Sequence, residues 1–251
     1  MSLYPSSAVD GLSAMPRHIS GKSYNERLFA GGLRSHFHYA RFKWVRSELL
    51  RLGIRFRTVL ELGCFDGRLL GYLPYLPDRY VGVDANWEGG LDTAIEKYAS
   101  VPGYAFLAIE HPDDIDLGVE QFDLACSLET LEHIPPELVD GFLAQIAKHL
   151  HGYLLVSVPN EVGPVFLLKW SVKHIFRMSP TEYTASELFN TFIGRSDRVR
   201  RKEHKGFNYR HLVNHIGKHF HVVRVVGFPF SFLPTWLCFG VGITATSRNE
   251  P

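Results

Sequence analysis

Carboxylates and imidazoles grouped at short spacing are the side chains here that could do chemistry together. Glu129-Thr-Leu-Glu132-His133 offers two carboxylates and one imidazole, which on a single helical turn would converge on a small volume. Such a group has two uses. It can hold a divalent cation, or its imidazole can take a proton from a hydroxyl acceptor, because imidazole titrates near neutrality. His204, in EHKGFNYRHL, is a second imidazole of the same potential use. With thirteen histidines in the chain, each also has a plain alternative as a surface or hydrogen-bonded structural residue.

A second constellation is VLELGCFDGRLL, residues 59–70, an apolar run that ends in an acidic bend between Gly63 and Gly67. Gly63 would let a ligand approach the backbone with no Cβ in the way, and Gly67 would let a helix start close to the strand. The free N–H groups of that helix end suit a carboxylate or a phosphate, and the bend alone does not choose between them. Asp84 closes the next apolar run, where a carboxylate can accept hydrogen bonds from both hydroxyls of a ribose. A nucleoside-containing cofactor follows, with a helix cap or turn residue as the plain reading of Asp84. A dinucleotide bend would be G-x-G-x-x-G. Counting from Gly63, Phe65 and Arg68 stand at the other two glycine positions, so a pyrophosphate would meet side chains and a nicotinamide oxidoreductase is disfavoured.

The elements that must position these residues are legible as alternating apolar runs and helical periods. Residues 35–53 place Phe37, Phe42, Val45, Leu49 and Leu52 at helical spacing, with Gly53 as the stop. Strands are predicted at 57–63, 79–85, 104–110, 122–128 and 153–159, with helices at about 67–73, 89–99 and within 136–150 between them. This rhythm predicts an α/β fold, a doubly wound and mainly parallel seven-stranded sheet. Residues 209–220 read as a helix, and 221–228 with 237–247 follow as a C-terminal antiparallel strand pair.

One domain is expected: an N-terminal arm (1–34), a cofactor-binding core (35–160), a substrate-side insertion (161–205), and the last helix and strand pair (206–251). Within the insertion, Val165, Leu168, Val172, Ile175 and Phe176 fall on one helical face. That face is expected to pack on its own domain, with weak membrane-surface contact as the other use. Arg195, Arg198, Arg200, Arg201, Lys202 and Lys205 form a basic run, either solvated or facing an acidic substrate. Tyr24 to Phe42 carries aromatics with Arg27, Arg34 and Arg41, which either close over the site or pack in the core.

Composition limits the partners. At 251 residues, 45% apolar and 21% charged, the chain can build a core, and its formal charge of +1 gives no field to gather nucleic acid. Cys64, Cys126 and Cys238 lie in apolar context without metal-ligand spacing, which reads as buried thiols in a reducing cytoplasm. The N-terminus lacks the pattern of a secretory signal. Residues 222–245 are apolar, but Gly227, Pro229 and Pro234 interrupt them, so two strands around a turn-rich loop are expected rather than a membrane span.

Taken together, Glu61-Leu62-Gly63-Cys64-Phe65-Asp66-Gly67, the acid of YVGVDAN, FDLACSLETLEHI and LLVSVPN resemble the class I S-adenosylmethionine-dependent methyltransferases, with type 11 and UbiG-like motifs. The resemblance covers roughly residues 57–160. Phe65 departs from that family's middle glycine. It implies that Gly63, Cys64, Phe65, Asp66 and Gly67 face the methionyl part of S-adenosylmethionine, with Glu61 fixing the bend and reaching toward the amino group. Asp84 would hold the ribose, Asn86 and Trp87 would flank the adenine, Glu110 would lie near the purine amino group, and Leu128 and Glu129 near the sulfonium. Trp87 has a core aromatic as its plain reading.

Glu129, Glu132 and His133 with the later His204 are also similar to the small-RNA 2′-O-methyltransferases of the Hen1 type, where comparable residues hold a divalent ion. An L-E-H-I after strand four also occurs without metal in small-molecule methyltransferases. The expectation is therefore no metal, with His133, His204 and Glu132 as the catalytic residues. The expected acceptor is a hydroxyl, or an amine, on a small or glycan- or lipid-linked molecule. A metal-assisted RNA 2′-hydroxyl is the alternative, and a non-catalytic cofactor-binding protein a further one.

Overall fold

Five runs of apolar residues between 58 and 159 pair side by side as parallel strands, the inner four largely buried under helices and the edge run at 104–108 half-buried. The computed structural model describes residues 33–175, 182–202 and 204–248. The strands are β1 (Thr58–Leu62), β2 (Arg79–Asp84), β3 (Tyr104–Ala108), β4 (Phe122–Leu128), β5 (Leu150–Pro159), β6 (Phe220–Phe228) and β7 (Gly240–Ser247). They form one sheet in the order β3-β2-β1-β4-β5-β7-β6. β1 to β5 are mutually parallel, while β7 is antiparallel to both β5 and β6. The expected doubly wound, mainly parallel seven-stranded sheet and its terminal reversed pair are both present.

The winding reverses between β1 and β4, so the carboxyl ends of these two strands frame the crevice in which such sheets bind ligands. Every parallel strand delivers its following loop to that same edge. The helices are α1 (Leu33–Leu52), α2 (Gly90–Tyr98), α3 (Pro136–His149), α4 (Gly163–Ile175), α5 (Ala185–Phe192) and α6 (Tyr209–His219). α1 buries Phe42, Trp44, Val45 and Leu49 against one face of the sheet, together with Leu124, Cys126 and Leu155. It stops at Gly53, whose φ of 66° lets its N–H reach the Leu49 carbonyl. α3 and α6 fill the other face through Phe142, Leu143, Ile146, Leu212 and Ile216.

Two expectations change. The helix expected at about 67–73 is only a 3₁₀ turn, Arg68–Gly71. Pro74 and Pro77 stand just beyond it and deny a longer helix its backbone donors. The apolar face expected on α4 divides: Val165 and Phe166 are buried, but Leu168, Val172 and Ile175 point to solvent. The interval of four residues that joins Pro164, Leu168 and Val172 defines a stripe rotated away from the sheet. Phe176, Arg27 and most of the arm at 1–34 lie outside the described residues, and so do the side chains of Arg34 and Phe37. The expected alternative to a membrane span at 222–245 is observed as β6, a loop and β7, and no helix among the described residues is long and apolar enough to cross a membrane.

Candidate active site

The bend after β1 is built from three left-handed residues: Gly63 (φ 79°), Phe65 (φ 46°) and Gly67 (φ 68°). A side chain at such a φ costs roughly 1 kcal/mol or more, so Phe65 has to be held in place. Its ring lies on Gly90 at the start of α2, where a Cβ would run into the ring. Its N–H donates to Asp84 Oδ2 at 2.9 Å. Asn86 N–H donates to Asp84 Oδ1 at 2.8 Å, so one carboxylate ties the bend of β1 to the end of β2. Each Asp84 oxygen accepts one backbone bond and has a lone pair left for a further donor. The turn-residue reading and the ribose reading of Asp84 are therefore compatible.

Gly63 serves a different neighbour from the one expected. A Cβ there would collide with the Thr130 side chain, so the close approach is made by the turn after β4 and not by space reserved for a ligand. That contact brings residues 129–133 over the bend. Gly67 is tucked under Tyr98, whose hydroxyl donates to the Gly67 carbonyl at 3.3 Å. Asp66 takes two hydrogen bonds from Arg68, at 2.6 and 3.2 Å. The 3₁₀ turn supplies no α-helical N-terminus, so the anion site expected from one is not formed there.

Glu61 is buried beneath the bend and accepts a hydrogen bond from the Tyr80 hydroxyl. Burial raises its carboxyl to about 8, against the hydrogen bond from Tyr80 and with the help of the Asp84 and Asp66 charges. Cys64, Cys126 and Cys238 are buried free thiols, as their apolar context predicts. Asn86 (φ 55°) organises the start of α2: Leu91 N–H donates to its Oδ1 and its Nδ2 donates to Asp92. Trp87 is 61% exposed, which removes the core reading and leaves the ring largely in solvent three residues after Asp84. Glu110 is exposed two residues past β3, its N–H donating to Asp114.

The segment Glu129–His133 is a turn and not a helix. Leu128 is buried at the end of β4, and Glu129 adopts a φ of 56°. The chain rotation this causes decides which side chains meet. Ligand atoms of Glu132, His133 and His204 all lie within 4.8 Å of one another, and Glu129 is not in the group. The expected convergence on one helical turn is thus replaced by a convergence across the fold. The His133 and His204 rings meet edge to face with centroids 4.5 Å apart. Glu132 is 1% exposed, and neither of its oxygens has a hydrogen-bond partner among the described residues. Burial, and next the Glu129 charge, push the Glu132 carboxyl well above the usual range. Burial, and next His133, lower His204 to about 4, so this ring is neutral at ordinary pH.

Three cations from other segments lie around this cluster. Arg201 was part of a basic run, yet it is partly buried and its Nη2 donates to the Glu132 carbonyl at 2.6 Å. Lys169 of α4 donates to Glu161 and to the Asn160 carbonyl, at 3.0 and 2.9 Å. The Arg41 guanidinium of α1 lowers the carboxyl affinities of Glu61, Glu129 and Glu132, against the larger effect of burial on each. Arg41 and Arg201 stand among the residues that the sequence singles out, one as closing over the site and one in a basic run, whereas nothing in the sequence sets Lys169 apart.

A family model described as a methyltransferase domain matches residues 36–220. The chain belongs to this methyltransferase family. No curated protein matches the sequence. Solved structures share the fold at low identity. A S-adenosylmethionine-dependent methyltransferase from Clostridium acetobutylicum ATCC 824 has a TM-score of 0.62 at 12% identity, over 90% of this chain and 99% of that one. The N-methyltransferase NodS from Bradyrhizobium japonicum WM9, in complex with S-adenosyl-L-homocysteine, gives 0.56 at 13%, over 89% and 96%. The methyltransferase domain of bacterial CtHen1-CN gives 0.52 at 17%, over 84% and 99%. This methyltransferase is therefore an enzyme that uses S-adenosylmethionine. Its bend, the spare acceptor capacity of Asp84 and the exposed ring of Trp87 fit that cofactor.

Proposed function

We propose that this methyltransferase acts on a hydroxyl of a small or glycan- or lipid-linked acceptor, with the His133–His204 pair receiving the proton. The observation that carries this reading is the meeting of two imidazoles beside a buried carboxyl, on a turn that Thr130 packs against Gly63. The cofactor supplies an electrophilic methyl on a sulfonium. The protein's part is to hold an acceptor oxygen in line with that methyl and to keep water out. Asp84 binds the ribose hydroxyls and Trp87 covers the base. As the acceptor oxygen takes the methyl and the cofactor's sulfur leaves neutral, the hydroxyl proton would pass to a ring nitrogen of His133, whose side chain is 42% exposed. His204 packs edge-on behind it. Glu132, a carboxyl that holds its proton, positions the pair and is not the base. A cytoplasmic site of action accords with the three buried free thiols.

The test is transfer from labelled S-adenosylmethionine to matched hydroxyl and amine acceptors. His133→Ala should lower kcat on a hydroxyl acceptor by about 10²-fold or more while S-adenosylhomocysteine binding stays as in the wild type. Transfer to amines alone, unaffected by His133→Ala, would exclude the hydroxyl reading.

One observation favours a second reading. Both Glu132 oxygens and His204 Nδ1 are buried without hydrogen-bond partners among the described residues, and with His133 they make a nitrogen and oxygen donor set suited to a divalent transition metal. Such an ion would lower the pKa of a bound hydroxyl, including an RNA 2′-hydroxyl. Calorimetric titration of Mn²⁺ into chelator-treated protein distinguishes the two readings. Stoichiometric binding that His204→Ala removes, together with salt-sensitive binding of a short RNA, would favour the metal-assisted one.

A further inference from the structure

The loop between β6 and β7 presents aromatic side chains to solvent although it is firmly built. Phe232 is 82% exposed, Phe230 53% and Trp236 46%. The backbone beneath them is tied down: Asn160 Nδ2 donates to the Thr235 and Cys238 carbonyls at 3.0 and 3.1 Å, and Thr235 Oγ1 pairs with the Tyr209 hydroxyl at 3.1 Å. No charged residue occurs from 225 to 247. Register places the loop at the functional edge of the sheet, because Gly240 pairs with both Pro159 and Phe228 there. α4 packs against both the 235–237 turn and α5, and it exposes Leu168, Val172 and Ile175 together with Lys173 and His174. Beyond α5 the chain is basic: Arg195, Arg198, Arg200 and Lys202 are exposed, with Asp197 the single acid between 194 and 202.

We infer that this methyltransferase docks on an anionic lipid surface through the 229–237 loop and α4, with the 195–202 segment contacting lipid headgroups. Apolar surface of this extent beside positive charge is what an interfacial protein uses, with aromatics entering the acyl boundary and basic groups meeting anionic headgroups. A second copy fits less well. A two-fold contact through the apolar loop would offer the flanking basic segment no acidic partner from that loop, since residues 225–247 carry no charge, whereas an anionic headgroup layer would. The inference goes beyond the acceptor reading and does not depend on it. Its consequence is that the catalytic edge, with His133 and the bend, stands next to the lipid boundary.

The test is flotation of the full chain with vesicles of phosphatidylcholine alone and of phosphatidylcholine with phosphatidylglycerol, at low and high salt. Binding is expected with phosphatidylglycerol, weakening as salt rises. Brominated acyl chains should quench tryptophan fluorescence, and Trp236→Phe should reduce that quenching, with Trp170 of α4 supplying the remainder. The Phe232→Ser, Trp236→Ser double variant should bind about tenfold more weakly to either vesicle. Arg195→Glu with Arg198→Glu should abolish the preference for phosphatidylglycerol. S-adenosylhomocysteine binding at wild-type strength in both variants certifies their folding. Wild-type protein that floats with neither vesicle overturns the inference, and so do variants that float as the wild type does. A dimer in solution that the Phe232→Ser, Trp236→Ser variant dissociates, with no vesicle binding, would assign the surface to a second copy instead.

Discussion

Two carboxylates at the bend each make a prediction of their own. Glu61 holds a proton in the folded protein up to about 8, against an ordinary value of 4.5. Between those values the native state binds more protons than the unfolded state, so stability falls as pH rises from about 4.5 to 8 and levels above. Glu61→Gln cannot ionise. Its unfolding free energy, followed by urea titration across that window, should be flatter with pH than that of the wild type. Equal slopes would show that Glu61 ionises normally. Asp84 bridges two loops through the Phe65 and Asn86 amides. Asp84→Ala should raise the Kd for S-adenosylhomocysteine by about tenfold or more, because two backbone donors and the ribose hydroxyls lose a charged acceptor together. Calorimetry with unchanged affinity would reduce Asp84 to a turn residue.

The site is set by pairs of elements in contact. The turn after β4 reaches the bend after β1 because Thr130 occupies the space a Gly63 side chain would need. Gly63→Ala should therefore disturb cofactor binding through the β4 turn. The Gly63→Ala, Thr130→Gly double variant should recover part of the loss, while the left-handed φ of 79° keeps about 1 kcal/mol of strain. A double-mutant cycle on melting temperature and S-adenosylhomocysteine affinity reads this, and strict additivity would deny the contact its role. The alternation of strands and helices between 57 and 159 was legible in the sequence because strands buried on both faces are continuous apolar runs. The helix after the bend was misread, since apolar spacing alone does not register that prolines follow within one turn. The face of α4 was misread for a related reason: helical period identifies a stripe but not which neighbour covers it.

At the scale of the molecule, α1 is joined to the far strands by a buried charge. Glu48 is 2% exposed and accepts hydrogen bonds from Arg51, Arg224 of β6 and the Thr244 hydroxyl of β7, the last two at 2.7 Å. Arg51 and Arg224 are 45% and 37% exposed, so they can rehydrate when their partner is removed, whereas Thr244 cannot. Glu48→Ala should cost about 1–3 kcal/mol, the loss of charge-assisted bonds with one hydroxyl left buried. For a chain of this size that corresponds to a melting temperature lower by roughly 2–10 °C. Calorimetric scanning measures it, and a melting temperature within a degree of the wild type would show that hydrophobic packing alone seats α1. Arg41 approaches the site carboxylates from this same helix, so the seating of α1 also bears on the electrostatics of the active site.

By itself the sequence determined the sheet, the bend and the acid at the end of β2, each a local pattern: burial on two faces, a short backbone turn, a carboxylate at a strand end. S-adenosylmethionine was implied by the family that these motifs resemble. The sequence also marked Glu132, His133 and His204 as candidates. What it left open was decided only by tertiary structure. Glu129 drops out of the cluster because a left-handed residue turns the chain, Arg201 and Lys169 reach the site from remote segments, and Thr130 fills the gap at Gly63. These outcomes depend on which segments pack together over long separations in the chain, and neither residue type nor spacing encodes that directly.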